Sequence, residues 1–310
     1  MSGGDVCSLE LNSHMDYLND TLQLTEGFDR QKYLVDDELA TILFLMMKLQ
    51  KPLLLEGNPG VGKTEVANVL AGFLDTPLIR LQCYEGLDVH SAVYEWNYQK
   101  QLLSIKIQEG IDRSEADKEA HIFGEDFLLK RPLLQAITAA TKAPVLLIDE
   151  VDRADEEFEA FLLELLSAFQ ISIPEMGTIK AIHKPFVVLT SNRTRELSDA
   201  LKRRCLYHWV NYPDQEREIR IVSKHLPTID AQLAETLVKV VGVLRSRKLN
   251  KAPGIAETLD WASGLLALGF ENLTEESMSK TLGCVLKSAD DLERIKAEGL
   301  GVLLADIPVS

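Results

Sequence analysis

"LLLEGNPGVGKTEVANVL", from Leu53 to Leu70, is the stretch that decides the fold. It begins as a short apolar run, passes through a glycine-rich turn and ends with helical spacing. The turn, "GNPGVGKT", fits the pattern of a phosphate-binding P-loop between a strand and a helix. Because glycine has no side chain, the backbone N–H groups of such a loop can approach a phosphate closely.

The residue types in this turn suit the phosphates and the metal ion of a nucleoside triphosphate. We expect Lys63 to reach the β- and γ-phosphates and the Thr64 hydroxyl to bind Mg²⁺. An ordinary glycine turn is the alternative, and the flanking strand and helix count against it. The predicted nucleotide-binding residues are the loop and the residue after it: Gly57, Asn58, Pro59, Gly60, Val61, Gly62, Lys63, Thr64 and Glu65.

A second apolar run ends in two adjacent carboxylates. "VLLIDE" places Asp149 at the end of a buried strand, where a P-loop NTPase needs a carboxylate near Mg²⁺. Glu150 follows directly and is the candidate that orients or deprotonates the attacking water. This pair predicts NTP hydrolysis. We interpret most of the carboxylates in the following "DRADEE", residues 152–157, as a solvated helix N-terminus.

A third apolar run, "VVLTSN", ends at Asn192. In a parallel sheet the carboxyl ends of the strands line the ligand crevice. A neutral amide at this position is suited to hold the lytic water beside the γ-phosphate. The alternative is an asparagine selected for the turn that follows the strand.

Strand-like runs alternate with helical segments in the first two thirds of the chain, which predicts an α/β fold with a doubly wound parallel sheet of five strands. After Pro213 only helical segments follow. We therefore expect an irregular segment at residues 1–27, an α/β nucleotide-binding core at 28–212 and an all-α domain at 213–310. The predicted strands lie within residues 51–57, 77–82, 143–150, 184–192 and 205–210.

Composition narrows the classes of partner. The formal net charge of the chain is -15, which disfavours a nucleic-acid or anionic-membrane surface because a basic face supplies most of that affinity. No apolar run reaches the ~18 residues that a membrane span needs, and the N-terminus lacks the pattern of a signal peptide. We therefore expect a cytoplasmic protein that binds no nucleic acid and does not insert stably into a membrane.

With these motifs in place, the chain resembles the AAA+ ATPases and, within them, the MoxR family. "GNPGVGKT" resembles Walker A, "LLIDEVDRA" resembles Walker B, and Asn192 stands at sensor 1. The segment "FQISIPEMGTIKAIHKPF" resembles the β-hairpin that precedes sensor 1 in this group, and "YEGLDVHSAVYEW" stands at its helix-2 insert. The phrases "YEWNYQKQLL" and "KAPGIAETLDWA" resemble the CoxD-type accessory ATPases of carbon monoxide dehydrogenase maturation.

The resemblance implies an AAA+ P-loop NTPase fold with a C-terminal all-α lid, binding ATP and Mg²⁺. It also implies a homo-oligomer, a hexameric ring, with an adaptor that carries a von Willebrand factor A domain and a client metalloenzyme. Tyr33 stands where the family packs the adenine, with plain core packing as the alternative.

Four arginines are candidates to contact the γ-phosphate of a bound ATP. Aligning "ALKRRC" with the family places Arg204, preceded by Arg203, on the arginine that one subunit supplies to its neighbour's ATP; either or both could act. The lid arginine of the family is missing, because Ala256 occupies its position. Arg245 and Arg247 could substitute for it, the alternative being solvated or ion-paired helix residues.

The predicted function is ATP hydrolysis that drives remodelling, activation or metal-centre maturation of a client protein. The resemblance favours a molybdenum-containing enzyme of the carbon monoxide dehydrogenase type as the client. A rubisco-activating MoxR ATPase of the CbbQ type is the chief alternative. A DNA-directed AAA+ motor and a small-molecule kinase are further classes, disfavoured by the acidic charge and by the Asp149–Glu150 pair respectively.

Overall fold

The computed structural model of the protein describes residues 20–108, 121–174 and 176–307. Most of the predicted irregular segment, residues 1–27, lies outside the described residues. Its described end is a helix, Thr21–Arg30, which buries Leu24 and Phe28, four residues apart, on one face. The prediction of irregular structure is therefore wrong from Thr21 onward.

Nine strands occur in the described residues, and five of them form the central sheet. The strands are β1 Leu53–Gly57, β2 Leu78–Gln82, β3 Tyr94–Trp96, β4 Leu128–Lys130, β5 Val145–Asp149, β6 Gln170–Ile173, β7 Gly177–Lys180, β8 Phe186–Ser191 and β9 Leu206–Val210. The order across the central sheet is β2-β5-β8-β1-β9. The predicted parallel sheet of five strands is confirmed, as is the helical C-terminal region.

The inner strands of the sheet are continuous apolar runs because both faces of the sheet are covered. Every residue of β1 and β5 is buried, as expected for inner strands of a parallel sheet with both faces covered. The edge strand β2 is only partly buried and carries polar side chains. Strands β2 and β5 pair in parallel, with Gln82 opposite Asp149. These two residues therefore lie at the same end of the sheet.

Helices connect and follow the strands. They are α1 Thr21–Arg30, α2 Asp37–Leu49, α3 Lys63–Phe73, α4 Val89–Val93, α5 Tyr98–Gln108, α6 Pro132–Ile137, α7 Glu156–Ala168, α8 Asp199–Lys202, α9 Gln215–His225, α10 Ala231–Ser246, α11 Ile255–Ala267, α12 Glu275–Val285, α13 Ala289–Glu298 and α14 Leu300–Ala305. Among the helices described, none combines the length and the apolar character needed to cross a membrane.

The described chain divides into two compact units. The first contains residues 20–24, 36–56 and 64–209, and the second contains residues 25–35, 57–63 and 210–307. The P-loop residues before Thr64 thus belong to the second unit, whereas Thr64 and the carboxylates at the end of β5 belong to the first. The predicted division of the chain at residues 212 and 213 stays a prediction.

The second unit has its own helical core. Trp261 is fully buried at its centre, among apolar side chains of α10, α12 and α13. The indole N–H would be left unsatisfied in such a core, but it donates to the Thr281 hydroxyl at 2.7 Å. Burial of the ring and this hydrogen bond together fix α11 against α12.

Two small antiparallel pairs complete the first unit. The hairpin predicted before sensor 1 is present as β6 and β7. The other pair, β3 and β4, buries Tyr94 and Trp96 on the face that packs on the core. Tyr98 does not share this face, because it begins α5 and is 65% exposed. Core packing therefore accounts for Tyr94 and Trp96.

Candidate active site

Asp149 stands at the carboxyl end of β5 and is the centre of a cluster of polar side chains. It is only 3% exposed. Its Oδ1 accepts hydrogen bonds from the Thr64 hydroxyl at 3.0 Å and from the Thr190 hydroxyl at 2.5 Å. The structure thus brings together the two residues predicted to bind Mg²⁺, Thr64 and Asp149. Hydroxyl and carboxylate oxygens are the donor types that Mg²⁺ takes in phosphate-binding sites, so the residues present fit this ion.

Arg80 is a member of this cluster that the sequence did not reveal. Its guanidinium lies 2.5 Å from Asp149 Oδ2 and also donates to Gln82 at 2.6 Å. The contact follows from the pairing of β2 with β5, because alternate residues of β2 point to the same face as Asp149. Strand order cannot be read from a sequence motif, so no signal in the sequence could have placed Arg80 here.

Glu150 leaves the strand in an unusual backbone conformation. Its φ is 54°, in the left-handed region that residues with a side chain rarely adopt. Backbone conformations of this kind concentrate at active sites, where surrounding contacts hold them. Here the Glu150 N–H donates to the Thr190 hydroxyl at 2.9 Å, and Arg153 Nε lies 2.9 Å from Oε2 of the carboxylate. The Thr190 contact thus fixes the backbone of this turn, and the ion pair with Arg153 holds the carboxylate.

Asn192 lies next to this carboxylate. Its side-chain amide donates to Glu150 Oε1 at 3.4 Å, and it directly follows β8, the neighbour of β5 in the sheet. Thr190, two residues earlier, is 1% exposed and bridges the Glu150 N–H to Asp149. The ends of β5 and β8 therefore place Glu150, the Asn192 amide and Asp149, the carboxylate predicted to bind Mg²⁺, side by side.

Asp152 corrects part of the prediction for the acidic run that follows Glu150. It is not solvated but 2% exposed, and its carboxylate accepts from the backbone N–H groups of Asn192 and Thr194 at 3.2 and 2.7 Å. Asp155 behaves as predicted for a helix N-terminus, since it caps α7 by accepting from the Phe158 N–H. A run of charged residues does not reveal which member turns inward.

The cluster carries a concentrated negative charge. Cys83 follows β2, and its N–H donates to the Asp149 carbonyl at 2.8 Å. Burial, as the largest cause, and the charges of Asp149, Asp152 and Glu150, in that order, together raise the pKa of the Cys83 thiol from 9.0 to about 12. A site with this potential is suited to hold cations against a polyanionic ligand.

The P-loop in the second unit has the backbone of a phosphate cradle. Gly60 and Gly62 have φ values of 77° and 90°, which side chains would oppose. Lys63 is 6% exposed, and its ammonium donates to the carbonyl oxygens of Gly57 at 2.9 Å and Asn58 at 2.8 Å. Lys63 is covalently followed by Thr64, so the lysine and the hydroxyl that contacts Asp149 belong to one motif. Asn58, Pro59 and Glu65 are exposed, whereas Val61 is buried.

The P-loop also contacts the first turn of α11. The Ile255 N–H donates to the Gly60 carbonyl at 2.9 Å. A Cβ added at Gly254 would lie 2.6 Å from the Cα of Gly60, so the two backbones meet with no room for a side chain. The Glu257 carboxylate accepts from the Gly254 N–H at 2.8 Å and so closes the helix N-terminus.

Arg245 and Arg247, the predicted substitutes for the missing lid arginine, are both engaged in ion pairs. Ala256 is exposed on the first turn of α11. Arg245 pairs with Glu218 through two hydrogen bonds, at 2.5 and 2.8 Å. Arg247 pairs with Asp306 and lies 3.9 Å from a carboxylate oxygen of Glu298. The ion-paired alternative therefore describes both arginines in this structure.

Tyr33 lies beside the P-loop in the second unit. Its ring would be 3.8 Å from a Cβ added at Gly62, and it packs edge-on against Phe28 with ring centroids 5.9 Å apart. It is partly buried. This position is compatible with a ring contact to a base and with core packing, and the predicted adenine contact stays a prediction.

Arg203 and Arg204 follow the short helix α8 and are both exposed. Arg204 donates from Nε to the Ser167 hydroxyl at 2.7 Å and from Nη1 to the Ala200 carbonyl at 2.9 Å. The Arg203 backbone N–H donates to the Asp199 carbonyl at 3.0 Å, whereas its side chain makes no hydrogen bond or ion pair with the residues that the structure describes. The contacts described for this pair are thus with α7 and α8, and not with Glu150 or Asn192.

Comparison with known proteins identifies the class. Residues 52–205 match the family described as AAA domain (dynein-related subfamily). The gas vesicle ATPase GvpN of Haloferax mediterranei is 25% identical over 246 residues, covering 74% of this chain and 68% of that protein. An uncharacterized protein of Staphylococcus aureus is 27% identical over 229 residues, covering 72% and 78%. A RuvB mutant of Thermotoga maritima aligns over 88% of this chain and 81% of its own at 19% identity, with a TM-score of 0.47.

Residues 52–205 form an AAA domain, and the chain is an ATPase with an AAA+ P-loop fold. The matched AAA domain spans β1 to the residue before β9, and therefore includes the Walker A, Walker B and sensor 1 segments. The predicted class and the predicted ATP hydrolysis are confirmed on this basis.

Proposed function

We propose that the chain is a MoxR-type ATPase that uses Mg²⁺-dependent ATP hydrolysis to remodel or activate a client protein. One observation carries the hydrolytic part of the proposal. The Asn192 amide and the Glu150 carboxylate meet at 3.4 Å, next to the Asp149–Thr64 contact of 3.0 Å. An acid and an amide at the ends of adjacent strands suit the positioning of a water molecule for attack on a γ-phosphate.

Each residue of the cluster has a distinct task in this proposal. Thr64 and Asp149 would hold Mg²⁺, which neutralises charge on the phosphate oxygens when it is bound. Lys63 places its ammonium at the base of the P-loop, and Glu150 and Asn192 orient the attacking water. The deeply buried Thr190 fixes the Asp149 carboxylate and the Glu150 backbone, because its hydroxyl donates to Asp149 and accepts from the Glu150 N–H.

We further propose that the active unit is a hexameric ring in which Arg203 and Arg204 of one subunit serve the ATP of the next. Their exposure on the first unit, and the absence of a lid arginine at Ala256, support this role. An arginine supplied from outside adds roughly 10³ to 10⁵ in rate to phosphoryl transfer.

Mixed rings test the assignment. Glu150→Gln removes the carboxylate that orients the attacking water in a subunit's own site, and the double variant Arg203→Ala/Arg204→Ala removes the cations offered to the neighbour. Each should be inactive alone yet retain ATP binding. Mixing them in equal amounts should restore activity at roughly a quarter of the interfaces. An active interface needs an arginine-variant subunit, which has Glu150, beside a Glu150→Gln subunit, which has the arginines, and random assembly of a ring gives that ordered pair about one time in four. If mixing restores no activity, the trans assignment is wrong.

For the client, we propose a molybdenum-containing enzyme of the carbon monoxide dehydrogenase type, reached through an adaptor with a von Willebrand factor A domain. The phrases around Trp96 and Trp261 support this through their resemblance to CoxD-type ATPases. Glu150→Gln held in ATP should retain the client during affinity capture, and mass spectrometry would identify it. Recovery of rubisco instead would favour the CbbQ-type alternative, and capture without either protein would refute both.

A further inference from the structure

A single loop joins the sensor residue to the arginine pair, and two buried carboxylates hold its ends. We name residues 193–198, between Asn192 and α8, the linking loop. At its start, Asp152 accepts from the Thr194 N–H and the Thr194 hydroxyl, both at 2.7 Å, and from the Asn192 N–H at 3.2 Å. Asp152 is 2% exposed. It therefore fixes the backbone from which the Asn192 amide projects toward Glu150.

At the other end of the linking loop the second carboxylate is Glu159, on the first turns of α7. It is 2% exposed, forms an ion pair with Arg195 and accepts from the Ser198 N–H at 3.0 Å. Ser198 in turn caps α8 by accepting from the Leu201 N–H at 3.3 Å. Arg195 is tied down again by the Ala154 carbonyl, at 2.9 Å from Nε. Glu159 thus sets where α8 begins, and α8 ends at the arginine pair.

The far end of α7 holds the arginine pair itself. Ser167, in the last turn of α7, accepts from Arg204 Nε at 2.7 Å. A helix of 13 residues has a length of about 20 Å. One rigid helix therefore touches the linking loop with its first turns and Arg204 with its last turn. These contacts all lie within the first unit.

The chemistry of these contacts argues for positioning rather than for general stability. A carboxylate this deeply buried is costly unless its charge is compensated. The linking loop supplies most of the partners: Thr194 donates to Asp152, Ser198 donates to Glu159 Oε2, and Arg195 forms an ion pair with Glu159 Oε1, which accepts no hydrogen bond. Charge-assisted hydrogen bonds from backbone N–H groups are directional, so they fix the path of that loop more firmly than apolar contacts would. The first carboxylate acts nearest Asn192, and the second acts nearest the arginines.

We propose that Asp152 and Glu159 are positioning residues with separate tasks. Asp152 sets Asn192 for the subunit's own ATP, whereas Glu159, together with Ser167, sets Arg203 and Arg204 for the ATP of the neighbouring subunit. This rests on the proposed function, since it requires a ring with arginines acting in trans.

The test uses the full chain and the same two mixing partners. Asp152→Asn and Glu159→Gln should each lower kcat at least tenfold with little change in the Kd of a fluorescent ATP analogue. Ser167→Ala should behave as Glu159→Gln does, to a smaller extent, and it introduces no buried amide. The control is Glu157→Gln, an exposed residue of the same helix turn, which should keep wild-type activity.

Mixing then separates the two tasks. Glu159→Gln and Ser167→Ala should regain activity with Glu150→Gln, whose arginines are intact, but not with Arg203→Ala/Arg204→Ala. Asp152→Asn should show the reverse pattern. A general loss of structure would give rescue by neither partner and a lowered unfolding midpoint, and that outcome would overturn the inference.

The outcomes also separate this inference from the proposed function. Suppose that Glu150→Gln and the arginine double variant restore each other's activity. If Glu159→Gln and Ser167→Ala are then rescued by neither of these two mixing partners, or by both, only the inference fails. If the two parent variants do not restore each other, the trans arginine fails and the inference fails with it. Hydrogen exchange of residues 193–204 gives a second readout, and it should accelerate in Glu159→Gln but not in Glu157→Gln.

Discussion

Arg245 offers the sharpest test of how the second unit is stabilised. Its side chain is 13% exposed, and its guanidinium makes two hydrogen bonds to Glu218 and lies over the Tyr212 ring, 4.5 Å from the ring centroid. Glu218 is 2% exposed, and beyond Arg245 it accepts from the Thr258 hydroxyl at 2.8 Å. Arg245→Met would keep the stem of the side chain and leave a buried carboxylate with only a neutral donor.

The expected cost is large. Removing one partner of a buried ion pair destabilises by about 3–5 kcal/mol, because the remaining charge is uncompensated. Thr258 still donates to Glu218. We therefore expect Arg245→Met to lower the free energy of unfolding, measured in urea, by about 3 kcal/mol, the lower end of that range. Neutralising both partners in Arg245→Met/Glu218→Gln should recover at least about 1 kcal/mol of that loss, which is a coupling of the size that contacting residues show.

The control and the refutation follow from the same pair. Arg220→Met changes an arginine of the same unit that is not in this pair, and it should cost less than about 0.5 kcal/mol, as surface substitutions do. The reasoning is refuted if Arg245→Met costs less than about 1 kcal/mol, or if the costs of the two single changes simply add. A loss of kcat in Arg245→Met with unchanged stability would instead revive Arg245 as a substitute for the lid arginine.

Three further predictions concern the site. Asp149→Asn should abolish the Mg²⁺-dependent part of ATP hydrolysis, measured as phosphate release over a Mg²⁺ titration, because it removes the charge facing Thr64 and Arg80; residual activity above a tenth of wild type would contradict this. Gly254→Ala should raise the Kd for ATP at least tenfold, since its Cβ would lie 2.6 Å from Gly60 Cα, whereas Gly283→Ala, with open space at its Cβ, should not. Alkylation of Cys83 in the folded protein at pH 8, followed by mass spectrometry, should be about a thousandfold slower than for a thiol of pKa 9.0. The pKa of about 12 leaves less of the reactive thiolate, since each pH unit below the pKa lowers the thiolate fraction about tenfold. Fast labelling would refute the buried position.

The parts of the fold that were predictable are those encoded by local pattern. The P-loop, the apolar run before Asp149 and the run before Asn192 each carry their own signal, because a buried parallel strand must be apolar throughout and a phosphate turn must contain glycine. The hairpin before sensor 1 was likewise predicted from its resemblance to the family. Such features depend on residues that are close in the chain.

The parts that were missed depend on residues that are distant in the chain. Arg80 reaches Asp149 only because β2 lies beside β5, and strand order is a property of the whole sheet. The charge pattern groups Asp152 with its exposed neighbours, although its carboxylate accepts from backbone N–H groups that follow β8. Arg245 finds Glu218 through the packing of α9 against α10, which the helical spacing of either segment leaves open.

The geometry around Glu150 favours a role in orienting water over a role as a strong base. One carboxylate oxygen is engaged by Arg153 at 2.9 Å and the other by the Asn192 amide at 3.4 Å. A left-handed backbone at Glu150 holds this arrangement in place at a conformational cost of about 1–3 kcal/mol, a cost that a freely rotating base would not require. Phosphoryl transfer passes through a loose transition state in which positioning and charge stabilisation supply most of the acceleration. The fixed acid and amide provide the positioning, and the arginines proposed to come from the neighbouring subunit supply charge that Ala256 does not.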